Sequence, residues 1–152
     1  MNKLTITFLF VFIFSNSLIA QLVVGENASV TVAENASVTV AGLEINPNSD
    51  MVISGPNSID RNLTSVSING AESMARHYTV SENLSSYSGS IVYNYTDDDM
   101  NGISHFAAMQ VLDSPDGMWM NYADEDEVDY SVTHTFENAV EIHGVTAVSY
   151  TH

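Results

Sequence analysis

Cysteine is absent from all 152 residues. That excludes disulfides, a thiolate zinc site, a cysteine nucleophile and a lipid on an N-terminal cysteine. Basic residues are almost as scarce. Lys3, Arg61 and Arg76 stand against 19 Asp and Glu, for a formal net charge of −16. Such a surface repels nucleic acid phosphates and anionic membranes, so neither is expected as a partner. After the first twenty residues no apolar run is long enough to span a bilayer, and helical periodicity is nearly missing throughout. A G-x-S-x-G elbow is also missing, which removes the usual serine nucleophile. The five histidines, His77, His105, His134, His143 and His152, lack both the H-x-H and the i, i+4 spacings that would point to zinc. Eight of the 19 acidic residues fall in two runs, Asp97 to Asp99 and Asp124 to Glu127 with Asp129, the pattern of charged loops rather than of a facing glycosidase pair. The sequence therefore reads as a non-enzyme.

The first twenty residues differ in kind from the rest. Lys3 gives a positive start, Leu4 to Ile13 is apolar except for Thr5 and Thr7, and Ser15-Asn16-Ser17 leads to the small residue Ala20. This is the layout of a secretory signal peptide, residues 1–20, and it places the protein outside the cell or on its surface, with no membrane contact after cleavage. An exported chain without disulfides must draw its stability from core burial, helped where possible by bound ions. Five Asn-X-Ser/Thr sequons begin at Asn27, Asn35, Asn62, Asn83 and Asn94; in a chain this rich in Asn, Ser and Thr they read as chance.

Residues 21–41 contain an eight-residue duplication, Glu26-Asn-Ala-Ser-Val-Thr-Val-Ala33 followed by Glu34-Asn-Ala-Ser-Val-Thr-Val-Ala41. Two copies are too few for a solenoid, and the segment reads as an extended stretch that adds edge strands. Residues 42–152 then alternate turn signals and strand candidates. Asn46-Pro47-Asn48-Ser49, Gly55-Pro56-Asn57, Asn69-Gly70, Ser86 to Gly89, Asn101-Gly102, Pro115-Asp116-Gly117 and Gly144 punctuate the chain. Between them the pattern predicts strands at 51–54, 64–68, 74–80, 90–95, 106–112, 118–122, 128–136, 138–143 and 145–150. A short helical turn is expected near Ser104 to Ala107. Ile91 and Tyr93, and likewise Val132 and Phe136, hold the apolar parity of half-buried antiparallel strands, with Met109 and Val111 beside them in the core. The fold class that follows is all-β: an antiparallel β-sandwich, immunoglobulin-like or jelly-roll-like.

One stretch suggests chemistry. Asp97-Asp98-Asp99-Met100-Asn101-Gly102 matches the opening of a calcium loop, D-x-D-x-N-G, in which alternate oxygens face one ion and Gly permits the turn. The twelfth position is Ala108 rather than a bidentate Glu. If 106–112 pairs with 118–122 so that Leu112 faces Met118, then Phe106 faces Asp124. The first acidic run then meets the second, Asp124 to Glu127 with Asp129. The expected calcium shell is Asp97, Asp99 and Asn101, completed by Asp124 or Asp126, with a dissociation constant of ~10⁻⁴–10⁻³ M. A rival ligand is sugar: Trp119, with Tyr122 near it, offers a stacking platform, as in a carbohydrate-binding module.

Several stretches resemble a recurring β-sandwich module of large bacterial secreted and cell-surface proteins of the type exported through the type IX route. They are Ala36 to Leu43 followed by Asn46-Pro-Asn-Ser49, then Ile59-Asp-Arg61, Arg76-His-Tyr78, Tyr95 to Ile103, Gly117-Met-Trp119 and Gly144 to Val148. In those proteins the module precedes a C-terminal sorting domain, which the 152 residues do not include. The resemblance implies a structural or adhesive accessory role without catalytic residues. The partners it implies are surface polysaccharide or other domains of a larger surface assembly.

Overall fold

The computed structural model describes residues 21–126 and 128–149; the signal peptide expected at 1–20, Glu127 and the last three residues lie outside it. Twelve strands follow one another: β1 Gln21–Val24, β2 Ser29–Val32, β3 Val38–Val40, β4 Leu43–Pro47, β5 Met51–Ser54, β6 Asn57–Asn62, β7 Ser67–Ile68, β8 Ala71–Glu72, β9 His77–Asn94, β10 Ala107–Leu112, β11 Trp119–Tyr122 and β12 Ser131–Ser149. Every pairing is antiparallel. Among the described residues the one helical element is a 3-10 turn, Asp97–Asp99. The all-β sandwich expectation holds, with the main sheet curled almost into a barrel.

The first six strands form one long hairpin. Its tip is Ala41-Gly42, both at positive φ (50° and 101°), the two-residue turn whose twist suits a hairpin. Val40 pairs with Leu43 across it, Val30 with Ile53 and Val24 with Asn57, so β1–β2–β3 run back along β6–β5–β4. The duplicated octapeptide shapes the outer leg. In both copies an Asn takes the left-handed conformation (Asn27 and Asn35, φ 60°), and the following Ala closes the turn (Ala28 N to Gly25 O, Ala36 N to Ala33 O). Each copy thus supplies one bend and one short strand, and Val32 and Val40 are buried at matching positions. The leg pairs on one side only, as edge strands do.

The sandwich is held together by two strands much longer than the pattern suggested. Segments expected as two strands, 74–80 and 90–95, belong to β9, which begins at His77, and the three expected between 128 and 150 belong to β12. β9 pairs with β12 along most of its length. On its other side, Val80 to His77 meet β6, and Gly89 to Tyr93 meet β4. Register shifts fall between Phe136 and Gly144, opposite Ser86 and Gly89 at positive φ. Ser86 to Gly89 and Gly144 are therefore not turns between strands but places where a continuous strand bends. Gly89 is required there, since a Cβ would lie 2.3 Å from the Asn46 carbonyl oxygen. At these bulges the sheet folds over, and its two parts enclose one core.

That core contains Ile91, Tyr93, Met109, Val111, Val132 and Phe136, all buried as their parity required. It also contains Leu43, Ile45 and Ile59, from strands β4 and β6 that the turn-rich composition concealed. Two further corrections follow. The helical turn lies at Asp97–Asp99 rather than near Ser104. The β10–β11 register is one residue later than expected, with Leu112 facing Trp119 and Met109 facing Tyr122. The connection is one residue longer than the Pro115-Asp116-Gly117 signal implied, closing through Gly117 N to Ser114 O.

Candidate site at the acidic end

Thr96 and Asp99 form a reciprocal cap on the 3-10 turn: the Thr96 amide and hydroxyl both donate to Asp99 Oδ2 at 2.9 Å, and Asp99 N donates to Thr96 O. The same carboxylate lies 3.3 Å from Arg76 Nη1, and both side chains are buried. Arg76 is fixed from three other directions. Its Nη2 donates to the Asn94 carbonyl, and its guanidinium lies 5.0 Å and 5.7 Å from the ring centres of Tyr93 and Tyr78. The tyrosine hydroxyls close the assembly, Tyr93 donating to Arg76 O and Tyr78 to Ala41 O at the hairpin tip. Burial drives the Tyr78 hydroxyl up to about 12 and pushes Tyr87 and Tyr93 upward as well, against the opposing pull of Arg76 on Tyr78 and Tyr93.

Asp97, Asp99, Asn101 and Asp124 of the expected calcium shell thus have protein partners. Asn101 is exposed and donates its amide to Ser73 O, and Asp97 accepts the Tyr130 hydroxyl at 2.9 Å. Asp124 accepts the amides of Thr133 (3.0 Å) and Asp126 (3.2 Å), while Asp126 itself is exposed. Tyr130, next to Asp129, ties the end of the second acidic segment to Asp97 of the first. Among the described residues, however, no group of three or more His, Asp or Glu is disposed to hold a metal ion. A cation at Asp99 would also have to share that carboxylate with a buried guanidinium.

The second acidic run has a different task. Asp124 Oδ1 and Glu125 Oε2 accept the amides of Thr133 and Thr135, and Glu125 N donates to Thr133 O. Carboxylates here replace the strand that would otherwise cover this edge of β12. His134 completes the cover, with Nδ1 3.2 Å from Ala123 O and 3.3 Å from Glu125 Oε1.

The sugar-stacking pair is not one surface. Trp119 and Tyr122 sit three residues apart on a strand, so they point to opposite faces. Trp119 is half-buried against Gly144, and Tyr122 packs on His134 and Phe136 at 4.6 and 5.0 Å between ring centres. The exposed aromatics are elsewhere: Phe106 is 70% and Tyr130 42% exposed. Tyr130 has a φ of 67°, uncommon for a bulky side chain, and its ring stands edge-on to His105 at 4.7 Å. The hydrogen bond to Asp97 pushes its hydroxyl upward, with the Asp97 charge adding to it. No family model, curated protein or solved structure matches the chain.

Proposed function

We propose that this protein is a secreted or cell-surface accessory module with a structural or adhesive role, carried out of the cell by its first twenty residues. The observation that carries the reading is how its polar side chains are employed. The three fully buried tyrosines each give their hydroxyl to a backbone carbonyl (Tyr87 to Ser90 O at 2.6 Å, in addition to Tyr78 and Tyr93). The buried Arg76–Asp99 pair and the carboxylates of Asp124 and Glu125 likewise bind the scaffold to itself. Chemistry-bearing groups fixed in this way stiffen a domain that has no disulfides, which suits a module exposed to the medium. The resemblance to modules of large bacterial surface proteins points the same way.

Limited proteolysis of intact cells, followed by an attachment assay on a deletion strain, tests the reading. External protease should remove the domain while a cytosolic marker survives, and cells without it should adhere less. A domain protected in intact cells, or unchanged adhesion in its absence, would contradict the proposal. Affinity electrophoresis in surface polysaccharides separates the carbohydrate-binding alternative, which requires retardation that Trp119→Ala abolishes.

A further inference from the structure

One surface at the acidic end leaves large apolar side chains exposed. Phe106 (70% exposed) follows His105 in the chain, His105 meets Tyr130 edge-on, and Val128 (54% exposed) closes the turn that leads to Ser131 (Ser131 N to Val128 O, 3.3 Å). Tyr130 bonds to Asp97, and His105 Nδ1 lies 3.9 Å from Asp129 Oδ1. Exposed Asp98 and Asp126 extend the acidic rim. No Lys or Arg of the described residues offsets it: Arg76 is buried against Asp99, and Arg61 lies on β6. An exposed apolar and aromatic patch ringed by uncompensated carboxylates is electrostatically complementary to a cation with an apolar stem.

We propose that Phe106, Val128 and Tyr130, with the carboxylates of Asp97, Asp98 and Asp129, form a docking surface for a Lys- or Arg-bearing segment of a partner protein. Aromatic faces attract the cationic head while their edges pack its methylene stem, and the carboxylates supply the ionic contacts. The φ of Tyr130 and its bond to Asp97 hold the ring in place before the partner arrives. The inference deepens the adhesive reading and rests on it for its biological setting.

The test is titration of a fluorescent nonapeptide of arginine into the protein at physiological salt, where charges farther apart than ~8 Å are largely screened. Phe106→Ala and Tyr130→Ala leave the net charge unchanged, and each should weaken binding about threefold, as loss of an exposed cation–π contact implies. Asp97→Asn and Asp129→Asn should weaken it as well. Asp113→Asn and Asp116→Asn remove the same charge at the β10–β11 turn, roughly 20 Å away at the other end of β10, and should change little. Tyr130→Phe, which keeps the ring, guards against a folding artefact and should retain most of the affinity. Equal losses at both ends, or wild-type binding by the two alanine variants, would overturn the proposal in favour of general attraction to an acidic protein. Because the titration needs no cells, its failure leaves the adhesion result standing, and the converse also holds.

Discussion

Arg76 and Asp99 lie 23 positions apart in sequence, and nothing local to either announces the other. The D-x-D-x-N-G pattern was legible and so was its sharp turn, but the pattern is silent about a guanidinium arriving from the residue before β9, a full strand length upstream. Two consequences belong to this scale. Asp99→Asn keeps an oxygen for Thr96 but leaves the Arg76 charge buried without its partner, which should cost about 3 kcal/mol in urea unfolding. Pairing it with Arg76→Met should lose less than the two single changes together, because the stranded charge is then gone. The tyrosines give a pH dependence. Their ordinary value is ~10 and Tyr78 is held near 12, so between these pH values the unfolded chain ionises while the folded chain does not. The folded state then binds more protons, and stability falls as pH rises. The melting temperature should be insensitive to this group below pH ~10 and drop through the window up to about 12, with tyrosinate absorbance appearing together with unfolding.

At the level of elements, period-two alternation marked the faces correctly wherever a strand was regular: Ile91 with Tyr93, and Val132 with Phe136. It misjudged continuity. Ser86, Gly89 and Gly144 have the chemistry of turns, and a bulge in a long bent strand makes the same backbone demand as a turn between two short ones. β4 and β6 were missed for a related reason, since Asn46, Pro47, Asn57 and Asp60 mask the buried Leu43, Ile45 and Ile59. The duplicated octapeptide was legible as edge strands, but the bend each copy makes depends on Asn27 and Asn35 adopting the left-handed conformation. The carboxylate cover on β12 is a testable element. Replacing both Asp124 and Glu125 with Ala should speed amide exchange at Thr133 and Thr135 by at least tenfold. Ile91 and Tyr93, inside the β9 ladder, should exchange at their former rates. Unchanged exchange at the two threonines would mean that the carboxylates do not hold this edge.

For the whole molecule, the sequence made charge its leading feature, and the structure shows what part of that charge does. Asp99, Asp124 and Glu125 bind Arg76 or backbone amides of their own chain, while the remaining surface carboxylates repel one another. Repulsion of that kind is relieved by any screening ion, whereas a built calcium shell would respond to one ion alone. Thermal melting of residues 21–152 in chelator, millimolar calcium, millimolar magnesium and sodium chloride at matched ionic strength distinguishes the two. If the acidic groups are tied to the scaffold, calcium, magnesium and sodium chloride at equal ionic strength should raise the melting temperature alike, and Asp99→Asn should lower it by a similar amount in every buffer. A rise specific to calcium that Asp99→Asn abolishes would contradict the account and support Asp97, Asp99 and Asn101 as calcium ligands.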